Sequence, residues 1–380
     1  MLSAALIVAI SACLEPYYAR DVKEPPDLLV VDGFVNATDG SASVRLTHAT
    51  SLTNDDDYPF EQDAIVNVKS ESGDIITLIE QDSGRYSVDG LSIDPSLKYQ
   101  LHVVTANGEE YISDFIRITE TPAIDSLSWR QSGDGLQVFA STHDVNGNSR
   151  YYRWNYVETW EIHAPFLSGY KAENNTAIYR EPDEFIFQCY QSFVSKDILV
   201  ASTERLEEDR ASEVPIVYVP RVSSRISVLY HIRVQQRVME QSEYEFWDDL
   251  KRVTETLGGL FDSQPYEIVG NIHNVSNADA PVLGYFSGGK VTYKEMFIDY
   301  KDLTHDLQNR PFHGCQLDTV CVVLDPARRC RLDLTTLPQK TFLIGSLSEN
   351  GVIWGYTTSS EPCSDCREQG ASLVKPDFWP

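Results

Sequence analysis

Cys13 is the residue whose neighbours most directly specify a chemistry. It ends the run Ile10-Ser11-Ala12-Cys13: an aliphatic residue three places before the cysteine, two small residues, then the thiol. A signal peptidase needs small residues at its cut site, and cleavage before Cys13 leaves that residue N-terminal and open to acylation. Leu2 to Ala12 carry no charge and match the length of a signal-peptide apolar region, well short of a bilayer span. No Lys or Arg precedes Arg20, so the positive charge of the signal rests on the α-amino group or on a start farther upstream. The expectation is a lipoprotein signal peptide over residues 1–12 and a mature chain held to a membrane by lipid at Cys13.

Six further cysteines follow: Cys189, Cys315, Cys321, Cys330, Cys363 and Cys366. In an exported chain an even number reads as disulfides, here up to three, and the sequence alone leaves the pairing open. Cys363-Ser364-Asp365-Cys366 also has the spacing of half a zinc site or of a redox pair. Zinc would want a second close pair, and Cys315 and Cys321 are six apart. A redox pair would open a helix, whereas Pro362 and Arg367-Glu368-Gln369-Gly370 suggest a loop. Structural disulfides are therefore expected.

The other reactive types form no constellation. The eight histidines include no i, i+4 pair, which argues against a histidine metal site. Gly284-Tyr285-Phe286-Ser287-Gly288 places its serine one position late for a nucleophile elbow. No glycine loop of the phosphate-cradling kind occurs, so no cofactor is expected. Asp144-Val145-Asn146-Gly147-Asn148-Ser149 offers oxygens at the first, third and fifth positions of a calcium loop. It has Ser149 where glycine is wanted and Asn155 where a bidentate Glu is wanted, so a plain turn is expected. Asn54-Asp55-Asp56-Asp57 reads as a solvated acidic loop. No catalytic or metal-ligating residue is nominated. Aromatic residues remain: six Trp and twenty Tyr can provide flat platforms for sugars or peptides, and Phe60, Trp354 and Tyr356 are the nominated ligand contacts.

These residues must be positioned by a β-rich body. Hydrophobic residues make up 42% of the chain, and 31 basic against 57 acidic residues give a formal charge of −26. Such a surface repels phosphate backbones, so nucleic acid is not an expected partner. Residues 13–27 read as a tether. Short alternating runs follow at Leu28–Val35, Ser43–Thr47, Ala64–Val68, Ile75–Ile79, Lys98–Val103 and Glu110–Ser113. Glu71-Ser72-Gly73-Asp74 is a hairpin signature, and Asn107-Gly108 suits a type I′ turn. These runs predict an immunoglobulin- or transthyretin-like sandwich over residues 28–120.

Thr121-Pro122 marks a boundary, and residues 121–380 are expected to form a second, larger β-rich domain. In it Gly135–Phe139 is expected to pair with Tyr151–Val157, whose Tyr152, Trp154 and Tyr156 share one face with Trp160. Further strands are expected at Pro215–Pro220, Ser227–Val238, Leu283–Phe286 and Val291–Ile298, with a loop over Pro265–Val282. One prominent helix is predicted over residues 242–257, opened by a Ser242/Glu245 capping box and ended by Gly258-Gly259. A disulfide-tied tail over residues 315–380 completes a mainly β fold.

A set of short motifs in fixed order then adds a resemblance. Cys189-Tyr190, Tyr230-His231-Ile232-Arg233-Val234, Tyr244 to Trp247 and Gly258-Gly259-Leu260-Phe261-Asp262 come first. Gly270-Asn271-Ile272-His273-Asn274, Pro281-Val282-Leu283-Gly284-Tyr285-Phe286, and Cys363-x-x-Cys366 to Lys375-Pro376-Asp377-Phe378-Trp379 follow. Together they resemble the Bacteroidota outer-membrane lipoproteins grouped as domain of unknown function 4249. The resemblance implies a lipid-anchored β-rich protein often encoded beside a SusC-like TonB-dependent transporter. It carries over no catalytic residue. The cell surface is the expected location; because a single acidic residue, Glu15, directly follows the cysteine region, the periplasmic face is the alternative. The motifs also make sense as structure, with glycines for turns and Phe378-Trp379 to plug a groove.

The resulting expectation is a non-enzymatic outer-membrane lipoprotein that joins a SusC-like barrel as lid or substrate-capturing subunit. An accessory subunit of a larger assembly or export complex and a surface hydrolase of peptide or glycan are the alternatives. Cys13→Ala should move the protein from the membrane fraction to the soluble fraction on cell fractionation; retention in the membrane would refute lipid anchoring.

Overall fold

The alternating runs become strands in the computed structural model, which describes residues 28–49, 59–256, 268–277, 280–304, 314–320, 334 and 337–380. Cys13, the acidic loop Asn54–Asp57, Gly258-Gly259, Cys321 and Cys330 lie outside the described residues. The first eight strands are β1 (Leu29–Asn36), β2 (Ser41–His48), β3 (Ile65–Ser70), β4 (Ile75–Thr77), β5 (Ile79–Glu80), β6 (Arg85–Val88), β7 (Tyr99–Val104) and β8 (Glu110–Ser113). Their period-two apolar positions point inward: Val31 and Val35, Ala42, Val44 and Leu46, Val66 and Val68, and Leu101 and Val103 form one buried core. β3 and β4 pair across the expected hairpin. The β7–β8 turn differs from expectation. Only Gly108 has positive φ, at 87°, and its amide donates to the Thr105 carbonyl, so the two-residue type I′ turn is not formed.

The chain then leaves this sandwich and builds a second one. Its strands are β9 (Ile124–Ser132), β10 (Gly135–His143), β11 (Tyr151–His163), β12 (Tyr170–Glu173), β13 (Thr176–Tyr179), β14 (Gln188–Val194), β15 (Leu199–Ser202), β16 (Arg210–Pro220) and β17 (Leu229–Val238). Next come helix α1 (Gln241–Thr256), β18 (Ile272–Asn274), β19 (Leu283–Gly289), β20 (Thr292–Asp299), β21 (Asp318–Val320), β22 (Thr341–Glu349) and β23 (Val352–Ser360). One sheet runs β16-β10-β9. It faces a second, β14-β11-β17-β20, in which β15 also pairs with β11. The expected pairing of Gly135–Phe139 with Tyr151–Val157 is therefore not formed. β10 and β11 lie in opposite sheets, and the Asp144–Arg150 turn crosses between them. Alternation identifies a strand's inward face but does not name its neighbour.

The aromatic stripe of β11 is core. Tyr152, Trp154, Tyr156 and Trp160 are buried among residues of both sheets. Most of their polar atoms find internal partners: the Tyr152 hydroxyl donates to Asp209 (2.9 Å), Trp154 Nε1 to Gln236 Oε1 (2.9 Å) and the Tyr156 hydroxyl to Asp197 (2.9 Å). Glu158, fully buried on the same strand, accepts from Arg225 (3.0 Å) and from the Tyr230 hydroxyl (2.7 Å).

α1 starts at Gln241, so Ser242 sits inside the first turn. Its hydroxyl bonds the Tyr285 hydroxyl at 2.8 Å, and the expected capping box gives way to that contact. Phe246 and Trp247 bury the apolar face of the helix against Met239 and Tyr285. Strands β21, β22 and β23 of the C-terminal segment join β12 and β13 in a further sheet, β13-β12-β22-β23-β21. Disulfides Cys189–Cys366 and Cys315–Cys363 fasten it, so Cys363 and Cys366 each pair with a distant partner and not with one another.

The boundary expected at residue 120 does not delimit the first sandwich. β19 pairs in parallel with β1 and β18 pairs with β8, so each first-sandwich sheet has five strands, β19-β1-β2-β6-β5 and β18-β8-β7-β3-β4. β18 lies within the segment expected to be loop. Asn271 sets this return: its side-chain amide donates to the Phe286 carbonyl (2.7 Å), and its oxygen accepts from the Phe286 amide (2.9 Å). Gly270 abuts Gly284 so closely that a Cβ there would lie 1.7 Å from the Gly284 carbonyl oxygen. Gly284, at φ 150°, leaves no room either, since its own Cβ would lie 2.1 Å from the Val31 oxygen. Asn271→Ala orphans two buried backbone groups and should lower unfolding stability by about 2–4 kcal/mol in urea titration; a change below about 0.5 kcal/mol would contradict this role.

Candidate functional site

Of the nominated ligand contacts, Trp354 and Tyr356 come together and Phe60 stands apart. Phe60 forms an isolated bridge with Thr47 on the first sandwich, and the Arg45 guanidinium lies 5.7 Å from its ring centroid. Trp354 and Tyr356 lie on β23, just after the Asn350-Gly351 turn. Tyr356 is buried, packed edge-on against Tyr170 with centroids 5.3 Å apart. Trp354 is 39% exposed. With Asn175, Thr176, Ala177, Ile353 and Gly355 these two aromatics line a hollow of about 220 Å³. Val352 and Ile353, 60% and 48% exposed, extend it into an apolar hairpin tip.

A larger concavity lies at the seam between the sandwiches, and sequence reasoning did not find it. It holds about 1150 Å³ and is walled by three stretches: Arg117–Pro122, His143–Tyr151 and Val238–Ser242. The first is the crossing whose Thr121-Pro122 break was legible; a boundary between two domains is where a cleft would be sought. Several of its charged groups are paired. Arg117 meets Glu240 at 2.7 Å, Lys290 meets Glu120 at 2.8 Å, and His143 Nδ1 lies 2.7 Å from Asp125. Its hydroxyls are engaged as well. Ser149 donates to Asp144 (2.8 Å), Thr119 to the Val238 carbonyl (3.0 Å) and Thr121 to the Lys290 carbonyl (2.7 Å).

The Asp144 loop on this wall is a self-contained turn. Asp144 Oδ1 accepts from the Asn146 amide (2.9 Å), and Oδ2 accepts from the Asn148 amide (3.1 Å) and the Ser149 hydroxyl. Burial pushes its pKa up, but these donors outweigh burial and hold it below the ordinary aspartate value. Its oxygens are thereby spent on the turn. Among the described residues no three His, Cys, Asp or Glu side chains gather in a way that could hold a metal ion.

Beneath the cleft a charged joint holds the sandwiches and α1 together. Arg153 on β11 lies directly opposite Arg237 on β17, on the face turned away from the aromatic core. Glu243 of α1 answers Arg237 at 2.5 Å, Ser287 of β19 accepts from the same guanidinium (3.2 Å), and Phe34 of β1 lies beneath it at 4.7 Å. Arg153, 8% exposed, stacks 3.6 Å from the Trp247 ring centroid. Burial, together with the neighbouring Arg237, lowers its pKa to about 10. In the sequence this joint shows only as arginines within two long strands of mixed polarity.

The comparisons with known proteins bear on this architecture. A family model described as "Domain of unknown function (DUF4249)" matches residues 15–295. No curated protein matches the chain. Among solved structures the chain is similar to a two-fibronectin-type-III-domain segment of chicken tenascin, with 13% identity over 56% of this chain and 93% of that one and a TM-score of 0.17. It is also similar to the Yersinia pseudotuberculosis adhesin InvE, with 12% identity over 56% of this chain and 55% of that one and a TM-score of 0.15. At such TM-scores neither likeness carries a functional argument. The family match spans most of the chain, including both sandwiches and the Asn271 return that joins them: this protein belongs to the domain of unknown function 4249 family.

Proposed function

We propose that this is a non-enzymatic, lipid-anchored outer-membrane protein that joins a SusC-like TonB-dependent barrel as lid or substrate-capturing subunit. The cleft at the seam supports this reading most directly. It is large, open and lined by apolar and polar groups together, and Ser149, Asp144 and His143 are hydrogen-bonded into its wall. Such a surface can hold a hydrated ligand through amides and ion pairs, and the Ser149 hydroxyl is spent on Asp144 within the turn. A lipid on Cys13 would leave residues 14–27 as a leash of roughly 50 Å at full extension. A leash of that reach keeps the body beside its partner, so a modest interface suffices.

The exposed tip Val352-Ile353-Trp354 favours a second reading, an accessory subunit that docks on a larger envelope assembly. Both readings are tested by isolating the tagged protein from its own outer membrane in mild detergent and identifying what accompanies it. A single TonB-dependent barrel in near-stoichiometric amount is the expected result. Several barrels with other lipoproteins would favour the assembly subunit, and no companion would overturn both. Trp354→Ala should leave urea stability within about 0.5 kcal/mol of the parent, because the side chain is partly exposed. Any partner docked on the tip should be lost from that variant.

A further inference from the structure

The C-terminal residues close over the outer face of the sheet formed by β14, β11, β17 and β20. Ser372 bridges to Tyr190 of β14. Trp379 is buried, with its Nε1 donating to Glu161 Oε2 of β11 (3.0 Å) and its ring edge-on to Tyr190 at 5.4 Å. At the centre of this clasp lies His231 of β17. It is 2% exposed, with its ring between Phe297 of β20 (4.5 Å) and Phe378 (4.6 Å) and the Trp379 ring 6.4 Å away.

Neither ring nitrogen of His231 has a hydrogen-bond partner. The nearest carboxylate oxygen, Glu295 Oε2 of β20, stands 3.5 Å from Nε2 and is shared with Arg233 of β17 at 3.3 Å from the other oxygen. On β11, Glu161 is already taken up by Trp379, Gln188 and His163. The charged side chains of the clasp itself are Lys375, which donates to the Pro380 carbonyl (2.8 Å), and Asp377. A neutral imidazole leaves one N–H and one acceptor nitrogen unpaired here but buries no charge, the smaller cost. An imidazolium would bury a charge and two N–H groups, with only the Glu295 carboxylate, shared with Arg233, near one of them, a far larger one.

We propose that His231 makes the C-terminal clasp proton-sensitive, so that protonation loosens Phe378 and Trp379 and uncovers the sheet face beneath them. Phe378 is already 50% exposed, so lifting it admits water to the ring at little cost in buried area. Burial, only partly opposed by Glu295, lowers the His231 pKa in the closed state. The sign follows from linkage. A depressed pKa means that closure is fully supported above the ordinary histidine value, about 6.5. That support is lost as pH falls through the lower closed-state value. The clasp is therefore shut at neutral pH and weakened in acid, with the Cys189–Cys366 disulfide keeping the released segment close by.

Hydrogen exchange of residues 371–380 in the full chain tests this. After correction for intrinsic exchange, their protection should fall at least about threefold from about pH 7.5 to about pH 5. In His231→Phe, which keeps the aromatic stack, the fall should vanish. Glu295→Gln removes the one nearby carboxylate and should deepen the loss in acid. An equal fall in His231→Phe, no fall in the parent, or a shallower loss in Glu295→Gln would overturn the proposal.

Discussion

The two hydrogen bonds between the Asn271 side chain and the Phe286 backbone are the constraint on which the rest of the structure depends. They lock the chain's return from the second sandwich into the sheets of the first. Gly270 and Gly284 let the backbones approach closely enough for that lock to form. Without β18 and β19 the first sandwich would expose two unpaired edges and lose Phe286 from its core. With them, the sandwiches are threaded through one another, and the cleft at their seam has walls that cannot drift apart freely. The Arg237–Glu243 pair reinforces this joint from the helix side. Because the pair is buried, its value lies more in fixing one orientation than in raw stability.

Inside the second sandwich, specificity comes from polar groups placed within an aromatic core. Each of Tyr152, Trp154 and Tyr156 is tied to a different element by its polar atom, and Glu158 ties β11 to Arg225 and Tyr230. A one-residue slip of β11 would turn every one of these side chains to the wrong face and orphan its partner. Apolar residues alone would fill the space but tolerate more registers.

Much of this was legible in the sequence, for local reasons. β1, β2, β3, β7, β8 and β17 follow from alternation, and α1 from the Ser242/Glu245 signal, although Ser242 bonds Tyr285 and forms no capping box. The disulfide reading of Cys189, Cys315, Cys363 and Cys366 follows from an even count in an exported chain. Pairings between distant segments were not legible. Nothing local in Leu283-Gly284-Tyr285-Phe286 says that it lies parallel to β1, and nothing in Gly135–Phe139 says that it avoids β11. The short strand Ile272–Asn274 is too brief to show a period. At the site, Trp354 and Tyr356 were found because aromatics are conspicuous, although one of them proves to be core. The cleft was missed because a concavity is made by two bodies meeting, and only the Thr121-Pro122 break hinted at where they meet.

The central claim is that the two sandwiches fold as one threaded unit, and the placement of tryptophan makes it directly measurable. Trp129, Trp154, Trp160, Trp247, Trp354 and Trp379 all lie outside the strands of the first sandwich. Tryptophan fluorescence thus reports the second sandwich, the helix and the C-terminal segment, while far-ultraviolet circular dichroism reports all the sheets. Urea unfolding of the disulfide-intact protein followed by both signals should give coincident transitions. A loss of β signal that clearly precedes the fluorescence change would mean that the first sandwich melts on its own, and would contradict the threaded architecture.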